Sequence, residues 1–237
     1  HGVVELSACY SIYEPTSMRA LEAFSLPNVL RDGIVGTRIF AELYPKYFKA
    51  QYERMGVYLA RAVVTSNYQI MGMKPLARRE DWKGQLLRPS SVQMANAIER
   101  LGAAAVVNLP TGQSYEALQR GLINGTALSD SSLFALHIHE LAKYHLDLDM
   151  FTQSLEFCMN REFFDRLPPD LKRLLYQWNQ KAAMALAQIF FARSTSAARQ
   201  AFEKAGVQMQ QIAPDDVESW RAAVWPVTET WTNEMEA

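Results

Sequence analysis

One long apolar stripe near the carboxyl end constrains the fold more than any other feature. The predicted helix begins at Pro168-Pro169-Asp170 and extends to Lys204, with Gly206 beyond its end. Apolar residues recur along it at helical spacing, at Leu171, Leu174, Leu175, Trp178, Ala182, Ala185, Leu186, Ile189 and Phe190. A helix of about 35 residues is roughly 50 Å long. Because this length exceeds the width of a small domain, we expect the helix to run along two lobes.

Strand-like and helical segments alternate along the rest of the chain. Strand patterns cover residues 3–10, 57–65, 86–87, 104–109, 151–159 and 207–212. Helical patterns cover residues 35–55, 91–101, 111–121, 131–144 and 215–232. Such alternation predicts an α/β fold with mixed, mostly parallel sheets.

Composition argues against several classes of protein. The 237 residues suggest one or two domains, and a formal net charge of −1 gives no sign of nucleic-acid binding. No segment approaches the roughly 20 apolar residues of a membrane span. The chain opens on His1 without an initiator Met, so we expect a processed chain or a fragment whose signal peptide was removed. Cys9 and Cys158 lie in apolar runs outside any CxxC pair, and we expect two buried free thiols rather than a disulfide.

The stretch WKGQLLRPSS places an arginine where a strand passes into a helix. Arg88 ends the strand, and either Ser90 or Ser91 suits the N-cap of the helix that follows. Arginine is rarely buried without a partner, and such junctions in open α/β proteins bind ligands. From spacing alone, Arg88 either forms an ion pair, with Asp81 or Glu99, or binds an anionic ligand.

An ordered set of short motifs surrounds Arg88. D-x-K-G-x-x-x-R is followed by a helix ending in Leu-Gly-Ala, a strand into Pro, Tyr-x-Ala-Leu-Gln-x-Gly, and a hydrophobic residue before Asn-Gly. FSLP at residues 24–27 precedes the set, and NREF at residues 160–163 follows it. In this order, and over essentially its whole length, the chain resembles the substrate-binding proteins of TRAP transporters, the tripartite ATP-independent periplasmic transporters, in their dicarboxylate-receptor-like family.

The resemblance implies a two-lobed fold of the periplasmic-binding-protein type, whose lobes are joined by crossing strands and by the long helix. We expect residues 1–84 and 153–192 to form the first lobe, without the strand–helix–strand unit with which family members normally begin. Residues 85–152 and 193–237 would form the second lobe. The resemblance predicts a periplasmic, non-catalytic receptor that closes over a small organic carboxylate and delivers it to a TRAP-type membrane permease. It predicts no cofactor and no nucleic-acid partner.

The resemblance also assigns candidate ligand-binding residues. The family's carboxylate-pairing arginine falls on Arg88, whose planar guanidinium matches both carboxylate oxygens and lies beside a helix N-terminus. A pocket asparagine of sialic-acid-type members falls on Leu128, with Ser129 beside it. A second pocket arginine of some members falls next to Arg61, on Ala62. Because polar partners are few, a smaller or more apolar acid fits better than a hydroxylated sugar acid.

Other candidate residues come with an alternative interpretation. Tyr10 can reach the cleft from the end of the first strand, or it is a core aromatic residue. Arg61 is explained equally well by a surface ion pair. Ser91 either only caps its helix or also contacts the anion, while Thr111 and Ser129 lie on loops that should face the cleft.

Metal and enzyme hypotheses have weaker support. His137-Ile138-His139-Glu140 is not a convincing metal motif, because helical residues two apart point to different faces and zinc needs further ligands. We therefore predict no metal site. No GxSxG, GxGxxG, phosphate-loop or HExxH motif is present. The alternative is an α/β enzyme acting on a small carboxylic acid, in which a pair such as Glu53 and Asp81 would serve as acid and base. A third hypothesis is a sensory receptor of the same fold.

Overall fold

The computed structural model describes residues 4–13 and 17–236, apart from the side chains of residues 180 and 190–192. Its helices are α1 (Gly33–Leu43), α2 (Lys49–Arg54), α3 (Val92–Leu101), α4 (Ser114–Gln119), α5 (Asp130–Ala135), α6 (Ile138–Leu141), α7 (Arg161–Arg166), α8 (Pro169–Leu186), α9 (Ala192–Lys204) and α10 (Val217–Glu236). Its strands are β1 (Leu6–Ala8), β2 (Val57–Val64), β3 (Tyr68–Gly72), β4 (Leu86–Arg88), β5 (Ala104–Ala105), β6 (Gly125–Ser129), β7 (Tyr144–Phe151), β8 (Ser154–Asn160) and β9 (Gln208–Gln211). No helix within these described residues combines the length and the apolar character needed to cross a membrane.

A smaller sheet has the strand order β1-β8-β2, and both of its pairings are antiparallel. Helices α1 and α8 pack against β2. Gly33 permits the close approach of α1, because a Cβ at this position would collide with the carbonyl oxygen of Thr65. The core beside this sheet contains Met18, Leu21, Phe24, Phe40, Phe48, Tyr52, Ala62, Val64 and Cys158.

A larger sheet has the strand order β5-β4-β6-β3-β7-β9. The pairings of β4 with β5, β4 with β6 and β7 with β9 are parallel, whereas β3 is antiparallel to both of its neighbours. Apolar residues cover both faces, since Ile70 and Ala127 belong to one core cluster and Met71 and Leu128 to another. The expected mixed α/β architecture is confirmed, with mostly parallel pairing in this sheet only.

Two segments cross between the sheets side by side. The backbone N–H of Thr65 donates to the carbonyl oxygen of Gln153 at 2.8 Å, and the N–H of Gln153 donates to Thr65 Oγ1 at 3.0 Å. The predicted lobe limits stay a prediction. However, β3 lies in the larger sheet, which favours a first crossing at residues 65–67 rather than after residue 84.

The long helix has the expected extent, from Pro169 to Lys204. It is interrupted by one wide turn of π-helix at Ala187–Phe191, which separates α8 from α9. Helix α8 packs on β2 of the smaller sheet, whereas α9 packs on α5, which follows β6 of the larger sheet. The helix therefore spans both halves of the molecule, as its length predicts.

The predicted pair of free thiols is wrong, because Cys9 and Cys158 form a disulfide. Strand β1 pairs with β8 so that Ser7 lies opposite Cys158, and this pairing brings the Cα atoms of the two cysteines to 5.7 Å. That separation is ordinary for a disulfide. The two cysteines are 149 residues apart in the chain, so no local pattern announces their pairing.

Several predicted element boundaries differ from the structure. Strand β5 covers only two residues of the predicted 104–109 strand. The predicted helix at 131–144 is divided into α5 and α6 by His137, whose φ of 58° lies in the left-handed region, and residue 144 begins β7. The predicted strand at 151–159 corresponds to β8, which begins at Ser154.

Candidate functional site

Arg88 lies at the carboxyl end of β4, next to the N-terminus of α3. Strand β4 pairs in parallel with β6, where Arg88 lies opposite Thr126. Ser91 is the N-cap of α3 and accepts a hydrogen bond from the Met94 N–H at 3.1 Å. Gly102 ends the helix with a φ of 110°. The predicted strand-to-helix junction is therefore confirmed.

The Arg88 guanidinium is held by neutral oxygens. Its Nε donates to the carbonyl oxygen of Leu109 at 3.1 Å, its Nη1 to Ser90 Oγ at 3.1 Å, and its Nη2 to Thr111 Oγ1 at 2.6 Å. Ser90 Oγ is fixed in turn, because it donates to the carbonyl oxygen of Ala127 at 2.7 Å. These contacts hold the guanidinium in one orientation.

No carboxylate in residues 4–13 and 17–236 pairs with this arginine. Arg88 is only 4% exposed, and its bonded partners are a carbonyl and two hydroxyls. Asp81, one of its predicted partners, instead pairs with Arg78 at 3.2 Å. Burial lowers the pKa of Arg88, and the nearby Tyr13 and Tyr68 hydroxyls oppose that shift.

A cavity of about 390 Å³ opens in front of Arg88. Its lining residues are Ile12, Tyr13, Arg88, Pro89, Ser90, Ser91, Val92, Val107, Asn108, Leu109 and Pro110. Ile12 and Tyr13 come from the 3₁₀ turn Ser11–Tyr13, which follows β1 of the smaller sheet. The other lining residues are Arg88, which ends β4, and residues that follow β4 and β5 of the larger sheet. The cavity is therefore shared between elements of both sheets.

The turn at Ser11–Tyr13 is anchored to β8 by a buried carboxyl group. Glu156 accepts hydrogen bonds from the Ser11 N–H and from Ser11 Oγ, both at 3.0 Å. Glu156 is fully buried, and this burial raises the pKa of its carboxyl group. The anchor positions Tyr13 at the cavity.

Three predicted site residues come together. Arg88 and Ser91 line the cavity, and Thr111 bonds directly to the guanidinium of Arg88. Ser91 also caps α3, which is the alternative interpretation of that residue.

Tyr10 and Arg61 lie near one another but do not line this cavity. The Tyr10 ring meets Phe157 edge-on at 6.1 Å between centroids, and the Arg61 Cζ lies 4.4 Å from the centroid of the same ring. Burial lowers the pKa of Arg61. Arg61 lines a separate, smaller groove that also includes Tyr58 and Tyr176.

Leu128 and Ser129 also lie away from the cavity lining. Leu128 is 3% exposed and belongs to the apolar cluster that contains Met71 and Leu133. Successive side chains of a strand point to opposite faces of the sheet, so Leu128 lies on the face opposite Ala127, which belongs to the core cluster with Tyr68. Leu128 packs in this core, and its predicted contact with the ligand stays a prediction. Ser129 is buried, with its Oγ 2.9 Å from Ser132 Oγ at the start of α5.

Sequence reasoning missed Ser90, Tyr13 and Tyr68 as neighbours of Arg88. Ser90 stands in the quoted junction and was considered only as a helix cap. Tyr68 lies in β3, which was not predicted. Burial raises the pKa of its hydroxyl, and the positive charge of Arg88 opposes part of this rise. No local sequence pattern predicts that Tyr13 lies near Arg88, because its position depends on the long-range contact between Ser11 and Glu156.

The histidine motif forms no metal centre in the structure. Within the described ranges, no cluster of three or more His, Cys, Asp or Glu side chains is arranged to hold a metal ion. The His137 Nδ1 lies 2.8 Å from Glu140 Oε1 on the surface, whereas His139 stacks on Phe134 with ring centroids 5.3 Å apart.

Comparisons with known proteins agree with the fold. The family model of bacterial extracellular solute-binding protein, family 7 (DctP), matches residues 1–234. The C4-dicarboxylate-binding periplasmic protein DctP of Rhodobacter capsulatus is 24% identical over 234 residues, which are 95% of this chain and 68% of that protein. A solute-binding protein of Albidiferax ferrireducens is 26% identical over 154 residues, which are 62% of this chain and 44% of that protein.

Solved structures of TRAP solute-binding proteins share the fold. One from Rhodoferax ferrireducens, in complex with copurified benzoate, aligns with a TM-score of 0.92 at 21% identity, covering 99% of this chain and 74% of that one. One from Bordetella bronchiseptica, with bound (R)- and (S)-mandelate, aligns with a TM-score of 0.89 at 19% identity, covering 99% and 75%. The resemblance to TRAP-transporter receptors is thus confirmed, and with it a family of solute-binding proteins rather than enzymes. The chain belongs to family 7 of the bacterial extracellular solute-binding proteins.

Proposed function

We propose that the protein is a periplasmic receptor that binds a small organic carboxylate at Arg88, in the cavity between its two lobes. The bound acid is then delivered to the membrane permease of a TRAP-type transporter. This proposal rests on one observation above all: a buried guanidinium that faces a cavity and has no anionic partner among the described residues.

The unused hydrogen-bond donors of Arg88 match a carboxylate. A guanidinium carries five N–H groups. Three of them are used, by Leu109, Ser90 and Thr111, which leaves one N–H on each terminal nitrogen. Two donors on adjacent nitrogens suit the two oxygens of one carboxylate, and charge-assisted bonds of this kind are the strong ones.

The shared cavity supports closure around the ligand. An acid held on Arg88 would also contact Ile12 and Tyr13, which follow the smaller sheet. If those contacts are better in a closed arrangement of the lobes, ligand binding shifts the population toward that arrangement. The paired crossings at Thr65 and Gln153 are the natural place for this movement.

The periplasmic location is supported from two directions. The family is one of extracellular solute-binding proteins, and the relative from Rhodobacter capsulatus is a periplasmic protein. The disulfide between Cys9 and Cys158 requires an oxidising compartment, as the periplasm is.

Isothermal titration calorimetry of Arg88→Ala tests the binding site. The natural cargo is sought first, by mass spectrometry of acids released from the denatured protein, and benzoate, hexanoate, adipate and succinate are titrated beside it. We expect Arg88→Ala to weaken binding by about 10²- to 10³-fold, because losing one partner of a desolvated ion pair costs roughly 3–5 kcal/mol. Arg88→Lys should recover part of the affinity, since an ammonium group cannot bind both oxygens in parallel.

A surface arginine provides the matched control. Arg120 is exposed, and among the residues that the structure describes it pairs only with Glu116, one helical turn away. Arg120→Ala should leave the affinity unchanged, and circular dichroism should show both alanine variants folded. A folded Arg88→Ala protein that binds within threefold of the wild type would refute the assignment.

A further inference from the structure

We infer that the cavity selects monocarboxylates with an apolar body over dicarboxylates of the same length. This inference rests on the proposed function and adds the substrate class. It depends on the single positive charge of the cavity and on the apolar side chains left exposed at its wall.

Arg88 is the one charged residue among those that line the cavity in the described part of the chain. A second carboxylate on the ligand would therefore enter the cavity without a cation to receive it. Burying an unpaired carboxylate is strongly unfavourable, because its hydration is lost without replacement. The cavity thus penalises a second negative charge.

The hydroxyl groups in the lining offer little compensation. Ser90 Oγ accepts from Arg88 and donates to the carbonyl oxygen of Ala127. Ser91 Oγ accepts from the N–H of Met94 as the cap of α3. The hydroxyls of Ser91 and Tyr13 and the amide of Asn108 are neutral donors, so none of them supplies the positive charge that a second carboxylate would need.

Arg61 does not supply the missing cation. Its guanidinium lies over the ring of Phe157, and it lines a different groove. Its contact is with an aromatic face on the smaller sheet, and it is not among the residues that line the Arg88 cavity.

The wall of the cavity presents apolar surface to the ligand. Tyr13, Val92 and Val107 are 62%, 48% and 58% exposed, although each lines a cavity that is built around a buried arginine. Apolar side chains so exposed gain from contact with an apolar ligand body. The volume of about 390 Å³ is at the lower end for small-molecule sites, which suits a small acid.

Matched acids test the selectivity directly. Hexanoate and adipate have the same number of carbon atoms and differ by one carboxylate, and benzoate and terephthalate form a second such pair. Calorimetry with the wild-type protein should give at least tenfold tighter binding of the monocarboxylate in each pair. Equal or tighter binding of adipate and terephthalate would overturn the inference and leave the proposed function standing. Failure of every carboxylate in the panel to bind would instead overturn the proposed function itself.

A new cation at the apolar wall tests where the body of the ligand lies. Val107 is exposed and lines the cavity, so Val107→Lys should fold normally and add an ammonium group to the cavity lining. We expect adipate binding to strengthen at least tenfold in this variant, with hexanoate affinity lowered or unchanged. Val29→Lys, at another exposed valine outside the cavity lining, is the control and should change neither affinity. Unchanged adipate binding in Val107→Lys would contradict contact between the ligand and this wall.

Discussion

Glu156 shows how a single buried carboxyl group organises the approach to the cavity. It lies on β8 with no exposed surface and accepts two hydrogen bonds from Ser11, which begins the turn carrying Tyr13. Burial raises its pKa because the charged form loses its hydration. The folded protein therefore favours the protonated acid more than the unfolded chain does. This contribution to stability is complete below the unfolded pKa and is lost as the pH rises through the folded pKa.

Glu156→Gln should consequently stabilise the protein at high pH. The amide keeps an acceptor for the Ser11 N–H and cannot ionise. We expect the free energy of unfolding in urea to rise by on the order of 1 kcal/mol at pH 8, with the difference shrinking toward pH 4. Glu116→Gln, at an exposed carboxylate, is the control. A Glu156→Gln protein destabilised equally at every pH would show that the carboxylate itself is needed.

Individual residues were predictable where their role is local. The cap at Ser91 and the turn at Gly102 follow from short-range backbone chemistry. Arg88 was selected as a candidate site residue because an arginine is unusual at a strand-to-helix junction. Thr111 was expected to face the cleft, and it bonds to Arg88. The burial of Leu128 could not be predicted, because a motif position says nothing about which face of β6 the side chain occupies.

At the scale of elements, the disulfide joins the short β1 to β8 at the edge of the smaller sheet. Strand β1 has only three residues, all exposed, so its pairing contributes little buried surface. A covalent link between Cys9 and Cys158 compensates for this weakness. It also holds the residues that lead directly into Tyr10 and the turn at Ser11–Tyr13.

Removing this link should lower stability measurably. For the Cys9→Ser/Cys158→Ser double variant, we expect a loss of about 2–5 kcal/mol in the free energy of unfolding, the typical range for a native disulfide. Urea unfolding of the wild type with a reducing agent should give a similar loss, whereas the double variant should not respond to the reductant. Equal stability of the reduced and oxidised wild type would mean that β1 is held by other contacts.

Two of the strands that were missed, β6 and β7, share a physical cause. Strand β6 reads GTALS, which is short and rich in small residues, and β7 follows α6 so closely that its start was taken as the end of a helix. In both cases, burial in the middle of a sheet overrides a weak local preference. Periodicity over longer stretches was reliable, as in β2, α3 and α10.

At the scale of the whole molecule, the fold class was predictable and the strand directions of the smaller sheet were not. Alternating strands and helices favour parallel pairing when each helix returns to the same sheet. Here the chain leaves β2 for the larger sheet and comes back through β8, which then runs antiparallel to β2. Such a path between two sheets leaves no trace in local periodicity.

Ligand binding should stabilise the whole molecule through Arg88. At a concentration of hexanoate 100 times its Kd, we expect the free energy of unfolding to rise by about 2.7 kcal/mol, because the acid binds only the folded protein. Urea unfolding at that same concentration should show almost no gain for Arg88→Ala and the full gain for Arg120→Ala. An equal gain in Arg88→Ala would locate the binding site elsewhere.

The wide turn at Ala187–Phe191 has a consequence for how the two halves can move. One extra residue in a turn advances the helix by about 100°, since an α-helix has 3.6 residues per turn. Ala183 and Ala187 can therefore face the smaller sheet while Ala198 and Phe202 point in another direction, into the larger core. The long helix therefore consists of two segments, each packed on its own half of the molecule, and a twist of one sheet against the other would change the helix at that turn as well as the two crossing segments.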